Sequence, residues 1–237
     1  WRDKLGGEVT VLSMGPPSAA DSLRKALTYG ADRAVLLTDR FFAGSDTLAT
    51  SYALSAALAK IGETFGAPDI VFTGKQTIDG DTAQVGPGIA KRLDLKQLTY
   101  VSRIVDVDLT SRSIVAERRA EGGVQVLMTQ LPALVTMLEG TNEIRRGSLD
   151  DALRAARAHV VVWSAADAGI SDLQKCGLRG SPTVVKRVFA PPPRSEKAEL
   201  VETHGRTPTE SAEALIEIIF ARAPGVEADI VKSVSGF

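Results

Sequence analysis

A short polar segment, Gly74-Lys75-Gln76-Thr77-Ile78-Asp79-Gly80-Asp81, follows the apolar run Ile70–Thr73 and leads into Thr82-Ala83-Gln84-Val85. Glycine lets a backbone approach a ligand closely. The free N–H groups that open a helix attract an anion such as a phosphate. In an open parallel sheet, ligands sit beyond the carboxyl ends of the strands, which is where this loop falls. Asp79 and Asp81 suit ribose or ring N–H groups better than a bare phosphate. A rival reading uses the same residues. Asp81-Thr82-Ala83-Gln84 has capping-box spacing, with Asp81 as N-cap and Gln84 at N3, and local physics leans toward that structural role. Ser13-Met14-Gly15-Pro16 is a second, weaker signal of the same kind, and on its own it reads as an ordinary turn.

Little else in the chain offers chemistry. There is no Walker A or GxGxxG loop. His159 and His204 lack neighbours at metal-ligand spacing and read as structural. Cys176 has no nearby histidine or second cysteine, which argues against a nucleophile. Arg145, Arg146, Arg154 and Arg157 place positive charge near a helix; a solvated face is the plain reading, and contact with an acidic partner or a phosphate is the sharper one.

The elements that must position the loop follow from periodicity. Residues 1–7 read as a last helical turn closed by glycine. Glu8–Ser13 reads as a buried strand. Ser18–Tyr29 reads as a helix with Ser18 as its cap, and Arg33–Thr38 as a strand covered on both faces. Ser45 or Asp46 caps a helix to about Phe65, whose Leu54, Leu58, Ile61 and Phe65 share one face. Ile70–Thr73 is the next strand and Thr82–Leu93 the next helix. That alternation is the grammar of a parallel α/β sheet. Thr99–Val107, Ser113–Arg119, Val124–Thr129 and Ala133–Met137 then read as antiparallel strands. A helix at Leu149–Ala158 and a strand at His159–Trp163 follow. Val184–Phe189 reads as a short apolar strand, Ala190–Pro193 as an extended arm and Thr209–Ala221 as a last helix. The expected fold class is α/β: a mostly parallel, doubly wound, Rossmann-like sheet with added antiparallel strands and a C-terminal arm plus helix. Residues 1–163 form the nucleotide-binding body, and 164–237 form an arm that needs a surface to lie on.

Composition limits the partners. The 237 residues carry 28 Lys+Arg and 29 Asp+Glu, a net charge of -1. That balance argues against nucleic acid or an anionic membrane as the main partner. With 44% apolar and 5% aromatic residues, the core must be sizeable and mostly aliphatic. One cysteine excludes an internal disulfide framework and a cysteine-based metal cluster, and fits a reducing cytosol. No apolar run approaches the ~18 residues of a membrane span, and nothing at the start reads as a signal peptide.

The run from Gly74 through Val85 and on to Gly86-Pro87 closely resembles the signature loop of the electron transfer flavoprotein beta subunit. Val11–Pro16, Ala26–Asp32, Leu131–Thr136 and Gly177–Thr183 agree with the same family, and the likeness runs in order from Glu8 to about Pro192. The resemblance implies a cytoplasmic redox subunit, active only with an alpha subunit that holds one FAD. The beta subunit holds a second FAD in the electron-bifurcating group, or structural AMP in the simple carriers. The family's nucleotide contacts fall on Ser13, Met14, Gly74, Thr77, Asp79, Asp81, Thr82, Ala83, Gln84, Val85, Gly86 and Pro87. Gly86-Pro87, the Gly177–Thr183 run, and Ala83 in place of a common asparagine resemble the bifurcating group. The implied function is transfer of electrons from NADH to ferredoxin or flavodoxin and, through the alpha-subunit FAD, to an acyl-CoA or related flavin dehydrogenase. The arm would pack around the alpha subunit.

Two departures bear on this expectation. The family's Asn-Glu-Pro-Arg run stands here as Asn142-Glu143-Ile144-Arg145. Family members also begin with a strand and loop that contact the nucleotide, whereas this chain opens near the end of the following helix. A sheet lacking that strand should show exposed apolar strand edges, and an incomplete or truncated sequence is the expectation. A rival from another class is a stress-type nucleotide-binding protein of related fold, acting alone.

Overall fold

The computed structural model describes residues 1–193 and 200–235; residues 194–199 and 236–237, within the expected arm, lie outside the described residues. The chain falls into two units, Trp1–Lys186 and Arg187–Phe237.

The first unit opens with a one-turn helix, α1 (Arg2–Leu5), closed at Gly6 with φ +78°. Strand β1 (Thr10–Met14), helix α2 (Ala20–Thr28), strand β2 (Arg33–Leu37), helix α3 (Thr47–Phe65), strand β3 (Ile70–Gly74) and helix α4 (Val85–Arg92) follow. Four strands come next: β4 (Lys96–Asp108), β5 (Ser113–Ala120), β6 (Gly123–Gln130) and β7 (Ala133–Met137). Helix α5 (Leu149–Arg157) and strand β8 (Val161–Trp163) complete the regular elements of this unit. Ser18 does not cap α2. Pro17–Ala19 forms a tight 3₁₀ turn instead, and the helix proper starts at Ala20.

The strands form two sheets, ordered β1-β2-β8 and β3-β7-β4-β5-β6. The first is wholly parallel. In the second, β7 lies parallel between β3 and the first part of β4, while β4, β5 and β6 form an antiparallel meander. The antiparallel expectation for Ala133–Met137 is therefore corrected. Ala133, Leu134, Val135 and Thr136 are all buried, and a run covered on both faces is what a parallel strand requires. The short turn before it concealed that signal.

Helix α3 joins the sheets. Ala53, Ala57 and Ile61 pack with Val35, Leu37 and Trp163, whereas Leu54 and Leu58 pack with Val71, Ile89 and Leu134. Strands β1 and β3 end their sheets on facing edges. Between them lies a cavity of about 740 Å³ lined by Val9, Val11, Leu54, Ile61, Val71 and Phe72 among others.

Residues 164–186, read from sequence as the start of the arm, are fastened to the amino end of α3. Asp46 accepts from Leu48 N–H at 2.9 Å and Ala49 N–H at 3.1 Å, and from Thr183 Oγ1 at 3.0 Å and N–H at 3.2 Å. Ser181 Oγ accepts from Asp46 N–H at 2.8 Å. Gly177 has φ +56°, and a Cβ there would lie 2.4 Å from Phe41 O, so only glycine fits that crossing.

The apolar run Val184–Phe189 forms no strand, and Val184, Val185, Val188 and Phe189 are exposed. A strand is held by its neighbour's hydrogen bonds, and no neighbour is present among the described residues. The second unit contains α6 (Pro208–Arg222) and α7 (Pro224–Ser235), which pack on each other. Thr207 and Glu210 form a reciprocal capping box at the start of α6. Helix α7 is absent from the sequence expectation. Leu215, Ile216 and Ile219 are each more than 40% exposed, an apolar stripe left half-covered by the described residues. Among the described residues no helix is long and apolar enough to cross a membrane.

Candidate functional site

The loop between β3 and α4 lies at the carboxyl end of β3, beside the carboxyl end of β7. Lys75 N–H donates to Met137 C=O at 2.8 Å, extending the β3–β7 ladder one residue past Gly74. Beyond it the loop folds on itself. Gln76 Nε2 donates to Asp81 Oδ1, and Asp81 N–H donates to Thr77 C=O at 3.1 Å. Asp81 and Ala83 have φ of +50° and +55°. Aspartate adopts that region more readily than most residues, whereas alanine there is strained by about 1–2 kcal/mol.

These bonds overturn the capping-box reading. Helix α4 begins at Val85 rather than Thr82, and its N-cap is Gln84, which makes no side-chain cap bond. Asp81 is engaged with Gln76, and Gln84 Oε1 accepts from Thr47 Oγ1 at 2.8 Å. The first turn of α4 therefore keeps its backbone donors free of a side-chain cap, as an anion would require.

The carboxylates are set for their roles. The Thr77 hydroxyl, the residue's own N–H and the Gly80 N–H hold the Asp79 carboxyl below its usual range, so it stays ionised at neutral pH. At Asp46, burial works to raise the carboxyl, but N–H groups of Ala49, Thr183 and Leu48 and the Thr183 hydroxyl outweigh it and the net direction is downward.

The glycines differ in purpose. A Cβ on Gly74 would meet nothing within 4 Å, leaving open space where a ligand can approach. A Cβ on Gly86 would lie 2.7 Å from Thr73 Oγ1 and 2.8 Å from Thr136 Cγ2, so Gly86 lets α4 close onto β3 and β7. Thr73 Oγ1 is itself buried with no hydrogen-bond partner among the described residues. An orphaned hydroxyl at the strand end, an uncapped helix start, open space over Gly74 and two carboxylates fit the polar parts of an adenine nucleotide.

The expected residues lie on two elements. Gly74, Thr77, Asp79, Asp81, Thr82, Ala83, Gln84, Val85, Gly86 and Pro87 are one continuous feature. Ser13 and Met14 end β1 in the other sheet, paired with Leu36 and Leu37, and Met14 packs toward the core around Trp163. No hydrogen bond among the described residues joins either to the loop. Thr47 and Thr73 were missed, because only the folded chain brings Thr47 to Gln84 and shows the Thr73 hydroxyl to be unpartnered.

Two of the four arginines make structural contacts. Arg154 donates to Leu27 C=O at 2.8 Å and Ala31 C=O at 3.2 Å, satisfying carbonyls at the end of α2. Arg145 pairs with Asp3. Cys176 is buried in the core, and burial followed by the charges of Asp172 and Asp39 pushes its thiol up, away from thiolate reactivity. Among the described residues no group of His, Cys, Asp or Glu is arranged to hold a metal ion.

A parallel α/β body with a glycine-flanked loop at a strand end has an architecture that suits nucleotide binding. Comparison with known proteins narrows it: the electron transfer flavoprotein domain matches residues 1–168, and the chain belongs to that family. It is 72% identical over 236 residues to Protein FixA of Azorhizobium caulinodans, covering all of this chain and 83% of that one. It is 45% identical over 197 residues to an electron transfer flavoprotein subunit beta of Thermoanaerobacterium thermosaccharolyticum, 83% of this chain and 72% of that one. It is 42% identical over 187 residues to subunit CarD of a caffeyl-CoA reductase-Etf complex of Acetobacterium woodii, 79% of this chain and 68% of that one. The chain is a beta-type electron transfer subunit, which sets aside the stand-alone stress-type reading.

Proposed function

We propose that this chain is the beta subunit of an electron-bifurcating electron transfer flavoprotein, binding FAD at the Gly74–Pro87 loop and pairing with an alpha subunit. The uncapped start of α4, open over Gly74, carries the reading. The Gly86-Pro87 form of the motif and the likeness to a subunit of an Etf complex support it. Bound FAD would supply the ability to accept a hydride from NADH and release electrons singly, to ferredoxin or flavodoxin and, through the alpha-subunit FAD, to a flavin dehydrogenase. The chain's own residues bind and orient. The backbone donors at the start of α4 face the phosphate. Asp79, ionised, accepts from ribose hydroxyls, and the Thr73 hydroxyl offers a buried partner at the strand end. Gln84, anchored by Thr47, ties the loop to the start of α3.

Flavin counting in the purified heterodimer tests the reading. Two FAD per heterodimer, both bleached by NADH, is the expected result. One FAD together with AMP overturns it and makes the chain a non-bifurcating carrier subunit whose AMP is structural.

A further inference from the structure

The amino end of α3 and the segments packed on it carry a surface that the nucleotide loop does not use. Three apolar side chains stand out there: Phe41 is 38% exposed, Leu48 49% and Leu178 59%. They share one face. Leu178 rests on Gly44, where an added Cβ would lie 2.6 Å from its Cδ2, and Gly177 crosses the Phe41 carbonyl. The Leu48 carbonyl accepts from Arg92 Nη2 at 3.3 Å.

Charge is sorted around these residues. The Arg40 guanidinium carbon lies 5.3 Å from the Phe41 ring centroid, and Arg92 Cζ and Lys175 Nζ each lie 5.7 Å from that of Tyr52. Such ring contacts hold a cation in place without neutralising it. Arg179 is exposed next to Leu178. Lys175 pairs with Asp172 at 3.2 Å, whereas Arg40, Arg92 and Arg179 pair with no carboxylate among the described residues. Two nearby acids are turned into the fold. Asp39 accepts from Phe41 N–H at 3.2 Å and Ala165 N–H at 3.1 Å, and Asp46 is spent on α3 and Thr183. An apolar centre ringed by arginines has the composition of a docking face.

The occupant follows from charge and position. The unpaired groups are basic, so the complementary face is acidic. The surface also borders the nucleotide loop: Arg92 ends the helix that the loop leads into, and Thr47, next to Leu48, holds Gln84. Transient redox complexes bury little area and are steered by charge, whereas permanent subunit contacts are larger and more apolar. We propose that Phe41, Leu48 and Leu178, with Arg40, Arg92 and Arg179 around them, form the docking face for a small acidic one-electron carrier protein. The proposal rests on the electron-transfer function proposed above and gives its low-potential acceptor a place on the molecule.

The test measures binding of a purified acidic ferredoxin to the purified heterodimer by surface plasmon resonance across a salt series, apart from turnover. Arg40→Glu with Arg179→Glu should weaken binding by about tenfold at low salt, mainly by slowing association, and the deficit should shrink as salt rises. Leu178→Ser should weaken binding with the salt dependence of the parent. Lys25→Glu, on α2 across the first sheet from α3, should bind as the parent does. Flavin content and heterodimer assembly should match the parent in all of them. No binding by the parent at any salt, no effect of charge reversal, or an equal loss from Lys25→Glu overturns the proposal. Loss of heterodimer assembly also overturns it, because the face then belongs to the alpha subunit. Flavin counting keeps the two proposals apart. Two FAD per heterodimer with binding indifferent to these charges overturns the docking face alone. Charge-dependent binding to a heterodimer holding one FAD and AMP overturns the bifurcating reading alone.

Discussion

Gly74 and Gly86 bracket the loop and do opposite things. At Gly86 the space for a Cβ is filled by Thr73 and Thr136. Gly86→Ala must push α4 off the sheet, and a loss of about 1–3 kcal/mol in urea unfolding is expected. At Gly74 the same methyl meets no protein atom. Gly74→Ala should leave unfolding within about 0.5 kcal/mol of the parent while lowering the nucleotide content of the purified heterodimer. Equal stability losses at both positions would show that neither glycine is kept for a ligand. Asp46 gives a third residue-scale prediction. Its side chain caps α3 and holds Thr183, so Asp46→Ala should cost about 1–2 kcal/mol. The folded-state carboxyl lies below its ordinary 3.8. The stabilisation is therefore full above that value and is lost as pH falls through the lower, folded one. An acid-unfolding titration should show the parent losing this increment at low pH and the variant lacking it throughout.

At the scale of elements, the loop depends on α3. Thr47 Oγ1 donates to Gln84 Oε1 across 37 positions of sequence. A double-mutant cycle of Thr47→Val and Gln84→Ala, read as FAD retention by the heterodimer, should show the double variant no worse than either single one. Additive losses would mean the two residues act separately. The elements themselves were largely legible from sequence. β2 is a continuous apolar run, and α3 carries an acidic cap and an apolar face; both lie where periodicity puts them. Failures came where neighbours decide. Val184–Phe189 has strand composition and no partner strand. Ala133–Met137 was misjudged in direction, since pairing direction is a property of the neighbour and not of the run. Asp81 and Gln84 have capping-box spacing, yet two positive φ values in the loop delay the helix and hand both side chains to other partners.

At the scale of the whole molecule, the charge balance and the apolar stripe of α6 set the expected behaviour. Leu215, Ile216 and Ile219 are half-exposed among the described residues. If the arm packs on the alpha subunit, Leu215→Asp with Ile219→Asp should leave the unfolding of the first unit unchanged and weaken heterodimer formation at least tenfold by analytical ultracentrifugation. An unchanged dissociation constant would move the subunit interface elsewhere.

Composition and motif alone determined that this is an aliphatic α/β chain with a signature run of the electron transfer flavoprotein type. Those properties are written in residue order: periodic apolar runs, and a signature contiguous from Gly74 to Pro87. Only the tertiary structure decided that Asp81 and Gln84 do not cap α4, that Gln84 is tied to Thr47, and that Lys75 lies over the Tyr100 ring. Each of those facts depends on groups far apart in the chain. A residue's spare hydrogen-bonding capacity, and the space left beside it, exist only after folding has assigned its partners.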